Sequence, residues 1–189
     1  MIAYKFLRSG RRGPFSGFEW PAPGVWVHAD RHMVACRRGV HGCRIEDLPW
    51  WLCDELWEIE LDGRVEVDEH KIFAPAGRLR SRVEGWTPAC AQEYADACAW
   101  RAHKRAAQAL TRAGHASASA ELAACATLDD VLLVARQLAD SWPNTKISLT
   151  IAGDGAEGYA AERAWQSRWL AGRLGLRPAI QSVNGRSDI

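Results

Sequence analysis

The chain has 189 residues, 48% of them hydrophobic, with 24 Lys+Arg against 23 Asp+Glu and a formal charge of +1. That length suits one domain or a domain with a smaller partner, and the composition is that of a chain able to bury a sizeable core. The charge balance provides no general field for nucleic acid or an anionic membrane, and no apolar run approaches the ~18 residues of a membrane-spanning helix.

The first 44 residues are locally basic (Arg8, Arg11, Arg12, Arg31, Arg37, Arg38 and Arg44), and the stretch from Glu46 to Glu69 is acidic. Ala3–Leu7 reads as a short strand. Pro14–Pro23 carries three prolines and packs aromatic residues in a loop. Gly24–Ala29 alternates and is β-branched, a second strand. Two glycines in Cys36–Ile45 point to a turn leading into a short strand. Asp47 and Pro49 suit a helix start, with Asp47 as the cap. Trp57–Leu61, the Asp62-Gly63 pair and Val65–Val67 together predict a β-hairpin. Lys71–Ala74 and Leu79–Val83 are further strands around a Pro75–Gly77 turn.

Composition changes at Trp86-Thr87-Pro88. Alanine dominates from Ala89 onward, and Ala89–Ala113 reads as one long helix capped by Thr87 with Pro88 in its first turn. Helices over Ala118–Ala126 and Val131–Ser141, a strand over Lys146–Ile151 and a last helix over Ala156–Leu174, ended by Gly175, complete the chain before a frayed tail. The expected fold is α+β: a small, mostly β module with one short helix over 1–86, packed on an Ala-rich helical region over 87–189.

The N-terminal segment MIAYKFLRSGRRG lacks the apolar core and small-residue cleavage site of a signal peptide, so a cytoplasmic location is expected. Six cysteines there would be reduced, and none forms a CxxC pair. Ten tryptophans are many for this length. Eight of them, at 20, 26, 50, 51, 57, 86, 165 and 169, flank the Ala-rich middle and suit anchors of a small core, each with one N–H to satisfy.

Chemistry concentrates in Val27–Cys43. His28, His32 and Cys36 would share one face of a helix and, with His41 or Cys43, could hold zinc. The strand-like GVWVHA scatters them, so no metal ligand set is assigned and His28 and His32 are bystanders. Cys43 stands beside His41 and three arginines, cationic neighbours that lower a thiol pKa and favour a nucleophile. Glu55, Glu58 and Glu60 form a carboxylate cluster. On a strand, Glu58 and Glu60 share a face and could act as acid and base or hold a ribose, or simply form the solvated face opposite Trp57, Ile59 and Leu61. Gly153-Asp-Gly-Ala-Glu-Gly158 contains a GxGxxG, read as a helix-capping turn because no β-α-β unit surrounds it.

Two resemblances add to this reading. On Ala3-Tyr4-Lys5, Cys36-x-x-Gly39-Val40-His41-x-Cys43, Leu48-Pro49 and Leu56-Trp57-Glu58-Ile59-Glu60-Leu61, the first ~86 residues resemble a bacterial module of unknown function also found ahead of pentapeptide-repeat arrays. The layout also resembles the ADP-ribosyltransferase fold, which implies NAD held by Arg8 and His41 with Glu58 or Glu60 acting on it. On Ala161-Glu162-Arg163-Ala164-Trp165-Gln166-x-x-Trp169-Leu170, the C-terminal half is similar to an all-helical family of proposed bacterial immunity proteins. The leading expectation is a non-enzymatic binding or regulatory protein in a bacterial conflict or phage-defence setting. Its partner would be a protein or a small molecule, or a second copy of the chain. The alternatives are an NAD-dependent ADP-ribosyltransferase-like enzyme and a metal- or thiol-dependent enzyme at the His/Cys stretch. The candidate catalytic residues are His41, Cys43, Glu58 and Glu60, and Arg8 and His41 are the candidate cofactor contacts. No cofactor is specified.

Overall fold

The computed structural model describes residues 1–29, 39–112, 114–125 and 155–177. The fold is α+β, with antiparallel strands toward the N-terminus and helices toward the C-terminus. The chain divides into two compact units, one of Met1–Cys90 with the chain from Ala164 onward, the other Ala91–Arg163. The sequence reading placed all of 87–189 in one helical region. In the structure the end of the last helix belongs with the strands.

Seven strands build the first unit: β1 (Ile2–Leu7), β2 (Val27–His28), β3 (Val40–Gly42), β4 (Glu55–Asp62), β5 (Glu66–Asp68), β6 (Lys71–Ala74) and β7 (Ala76–Arg82). They form a four-stranded sheet in the order β1-β4-β7-β2 and a three-stranded sheet in the order β3-β6-β5. The two sheets are joined twice. β6 runs into β7 through Pro75 alone. On the far side, Tyr4 and Cys43 exchange both backbone hydrogen bonds, at 2.9 and 2.7 Å. The path β1-β4-β7-β6-β3 therefore returns to β1, and a closed circuit leaves few free strand edges. Inside it lies one core of Ala3, Leu7, Trp20, Val40, Trp57, Ile59, Leu61, Ile72, Ala74 and Leu79.

Two glycines set how tightly this circuit closes. A Cβ on Gly77 would stand 2.6 Å from Val40 Cγ1 and 3.0 Å from the Glu60 carbonyl oxygen. A Cβ on Gly42 would stand 3.2 Å from Ile59 and 3.3 Å from Ala3. A side chain at Gly77 would force its neighbours apart, and one at Gly42 would need Ile59 and Ala3 to give by a few tenths of an ångström.

Part of the other face of β1 and β4, around Tyr4, Phe6 and Leu56, is buried as well. Phe6 meets Trp86 edge-on with ring centroids 5.3 Å apart, and the Trp86 indole donates to the Cys53 carbonyl at 2.7 Å. Tyr4 Oη donates to the Arg177 carbonyl and accepts from the Arg177 amide, both at 3.0 Å. Ser167 Oγ donates to the Glu46 carbonyl at 3.0 Å. These contacts bring 164–177 into the β unit.

Several expected elements take a different form. The hairpin across Asp62-Gly63 does not exist: β4 pairs with β1 and β7, and β5 pairs with β6. The expected Pro75–Gly77 turn is a bend, with Ala76 and Gly77 inside β7. The helix at Asp47 is a 3₁₀ helix, Ile45–Trp50, and Asp47 acts from inside it. Its carboxylate accepts from the Arg44 amide at 3.3 Å and from Arg44 Nε at 2.6 Å. The second strand shrinks to two residues because Gly24 takes φ 90° and Val25 closes a turn onto Ala22.

Helix α1 (Pro88–Arg112) starts as read, with Thr87 Oγ1 accepting from the Cys90 amide at 3.1 Å. Helix α2 spans Ala116–Ala123 and helix α3 spans Gly155–Leu174, the latter ended by Gly175 at φ 63°. In the second unit Ala107, Leu110, Ala118 and Leu122 form a small core. Arg101 and Arg105 both reach Glu162, at 2.6 and 3.0 Å. The helix expected over Val131–Ser141 and the strand over Lys146–Ile151 lie outside the described residues, as does the tail. Among the described residues no helix is long and apolar enough to cross a membrane.

The glycine contacts make a direct test. Gly77→Ala should cost about 1–3 kcal/mol, the usual range for an overfilled core. Gly172→Ala, in α3 with nothing beyond its chain neighbours and its own helix backbone within 4 Å of the added methyl, should leave stability unchanged or raise it. Urea unfolding of the two variants checks both.

Candidate functional site

Where β3 parts from β1, the first unit holds a cavity of about 660 Å³, partly open to solvent. Tyr4–Phe6 of β1, residues 39–43, the end of β2, Trp51, Lys71 and the loop from Gly13 to Trp20 line it. That loop is held in shape by its own backbone and by one buried carboxylate. Gly13 and Phe18, Gly17 and Gly13, and Trp20 and Arg11 are joined by backbone bonds of 2.8–3.0 Å. Glu55, 8% exposed, accepts from the amides of Gly10 and Arg11 and from the Trp57 indole at 3.0–3.3 Å. Glu55 is thereby the anchor of the loop, and these bonds hold its carboxyl below the usual range although burial pushes the other way.

The walls are aromatic. Phe18 and Trp20 meet edge-on at 5.7 Å, and Phe15 meets Trp51 edge-on at 6.1 Å. The Trp51 indole donates to the His70 carbonyl at 2.6 Å, which fixes its plane. Phe15 is 86% exposed at the rim, a position that costs free energy in water unless something covers it.

Two cations and no carboxylate line the cavity among the described residues. Lys71 is paired with Asp68 at 3.2 Å. Lys5 has no carboxylate partner among the described residues. Its Nζ donates to the His41 carbonyl at 2.7 Å and lies 5.1 Å from the centre of the Trp20 ring. Removal from water disfavours the ammonium and brings its pKa down to about 8.

His41 also lines the cavity, with its ring 5.7 Å from that of Phe73. Burial first, then the charges of Lys5 and Lys71, lower its pKa to about 4, against smaller opposing effects of Asp68 and a hydrogen bond to the Gly39 backbone. The imidazole is therefore neutral at pH 7. Its Nε2 is buried without a partner among the described residues, so Nδ1 makes the Gly39 bond as donor. In a neutral ring that leaves Nε2 as a lone-pair acceptor.

Cys43 is buried, and its thiol donates to the Tyr4 carbonyl at 3.3 Å. Burial pushes its pKa up to about 12, and the opposing pull of Lys5 and Arg44 is weaker. This reverses the activation that adjacency to arginines suggested. The thiol stays protonated and secures the Tyr4–Cys43 bridge instead of presenting a nucleophile.

The structure brings His41 and Cys43 to the cavity and leaves the other candidates elsewhere. In the β1–β4 register Glu58 stands opposite Tyr4 and Glu60 opposite Ile2, whereas Lys5 stands opposite Trp57. The two glutamates thus occupy the row that points away from Lys5. Glu60 pairs with Arg78 at 2.9 Å, and Glu58 accepts from Ser81 at 3.0 Å. Arg8 is exposed at the end of β1, bridged to Arg12. Arg8, His41 and Glu58 or Glu60 do not line one pocket. His28 lies at the cavity mouth, while His32 and Cys36 fall outside the described residues. Among the described residues no three His, Cys, Asp or Glu side chains are grouped to hold a metal ion. Of the GxGxxG, Gly153 and Asp154 lie outside the described residues, and Gly155 begins α3.

Lys5, Trp20 and Trp51 did not stand out in the sequence as site residues. One signal was present: Ala3, Lys5 and Leu7 share a strand face, and a lysine in an apolar row is unusual. The chain matches no family model, no curated protein and no solved structure.

Two measurements probe these environments. Between pH 6.5 and 4 the unfolded chain binds a proton at His41 that the folded chain refuses. Stability should therefore fall as pH drops through this window and level off below it, by at most about tenfold in the folding constant per pH unit. The slope should appear in the difference between the parent protein and His41→Phe. Peptide mapping after alkylation should find Cys43 modified about a hundredfold or more slowly in the folded protein than in denaturant.

Proposed function

We propose that this protein is a non-enzymatic, small-molecule-binding protein whose ligand occupies the cavity beside β1 and β3. The observation that carries the reading is an aromatic-walled space of about 660 Å³ that contains an ammonium without a carboxylate partner among the described residues. Ligand sites are of this kind: concave, mostly apolar and equipped with a few polar groups that orient the ligand. The chemistry of the enzyme readings is weaker at the same place. The thiol is held protonated, the imidazole is a poor base with a pKa of about 4, and the glutamates point away from Lys5. A regulatory role follows from the lining loop. Its exposed Phe15 becomes covered when a ligand fills the mouth, and that changes the surface offered to a further partner.

A thermal-shift screen of metabolite-like compounds tests this. A true ligand at about a hundredfold excess over its Kd should stabilise the protein by about 2.7 kcal/mol. The shift should disappear in Ala29→Trp, which narrows the mouth, and the compound should be recovered unchanged after long incubation. A screen without any hit, hits insensitive to Ala29→Trp, or consumption of the compound would overturn the reading.

A further inference from the structure

We infer that the ligand is an aromatic monocarboxylate: a flat ring system bearing one carboxylate and a ring N–H or O–H donor. This rests on the binding reading above and adds the ligand's chemistry to it.

Three features of the cavity call for three parts of one molecule. The walls from Phe15, Trp20 and Trp51 accept a flat ring face-on or edge-on, geometry that aromatic pairs favour beyond simple burial. The second feature is the charge. Lys71 is already balanced by Asp68, so among the described residues the positive charge left without a carboxylate is that of Lys5. An ammonium enclosed without a counterion is unfavourable, and a carboxylate entering beside it removes that cost. A phosphate would bring close to two negative charges and normally calls for Arg forks or a row of backbone amides. No arginine lines this cavity among the described residues. The third feature is His41 Nε2, a lone-pair acceptor buried without a partner among the described residues. A buried acceptor left unmade is costly, and a donor on the ligand ring satisfies it once the imidazole turns to meet the ligand. The cavity volume accommodates a bicyclic ring with a short acidic arm.

Indoleacetate has all three parts and serves as the probe in isothermal titration of the full chain at pH 7. Tryptophol lacks the charge, naphthylacetate lacks the donor, cyclohexylacetate lacks the aromatic face, and adenosine monophosphate replaces the carboxylate by phosphate. Indoleacetate should bind about tenfold or more tightly than tryptophol, the worth of a charged hydrogen bond. It should bind about fivefold more tightly than naphthylacetate, the worth of a neutral one. Lys5→Met should remove the preference for indoleacetate over tryptophol, and His41→Phe the preference over naphthylacetate, each variant first shown to be folded by circular dichroism. Should Lys5→Met not fold, the tryptophol comparison on the parent protein decides the same point. Equal binding of tryptophol or of cyclohexylacetate overturns the inference while leaving a small-molecule pocket in place. Tighter binding of adenosine monophosphate overturns the carboxylate in favour of phosphate. Failure of all five compounds to bind also overturns it, and the wider screen then decides the binding reading separately.

Discussion

The hydrogen bond from the Lys5 ammonium to the His41 carbonyl governs the architecture around it. β3 begins to pair with β1 at Tyr4 and Cys43, where both backbone bonds form. In an antiparallel ladder the next such pair would be Phe6 with His41. The His41 carbonyl is instead taken by Lys5 at 2.7 Å. The ladder stops after one pair, the strands part, and the cavity opens in the gap. The Tyr4–Cys43 bonds close the β circuit, and the Lys5 ammonium stands in the gap where a second pair would form.

This has an electrostatic consequence. The ammonium lies under an indole and against a carbonyl, and neither carries a full negative charge. The neighbourhood absorbs the cost in two ways: the Lys5 pKa comes down to about 8, and His41 stays neutral. The same burial keeps Cys43 protonated. Two groups that look reactive in the sequence, His41 and Cys43, are thus made quiet by desolvation. An enzyme more often uses such shifts to bring a group's pKa toward the working pH, whereas His41 and Cys43 here move away from it.

Much of the fold was legible in the chain. The α+β class, the strand at Ala3–Leu7, the Thr87-capped helix and the Gly175 stop follow from local pattern and capping chemistry, and each agrees with the structure. The Asp62-Gly63 hairpin did not follow, because β4 is more favourably paired on both edges, with β1 and with β7. The solvated row of Glu58 and Glu60 was visible in the alternation of β4. That it lies away from Lys5 was not, because alternation within each strand does not give the register between β1 and β4.

The sequence by itself determined the α+β class, the first strand, the capped start of α1 and the glycine stop of α3, and it put His41 and Cys43 at the centre of interest. Capping, periodicity and turn chemistry act over a few residues, so they can be read locally. Only the tertiary structure decided that Lys5 and His41 share a cavity with Trp20 and Trp51, that Cys43 is a buried donor, and that Glu55 holds the lining loop. Desolvation and strand register depend on groups far apart in the chain, as in the bond from the Met1 ammonium to the Leu61 carbonyl, 60 residues away. No local pattern encodes which of them will exclude water from the others.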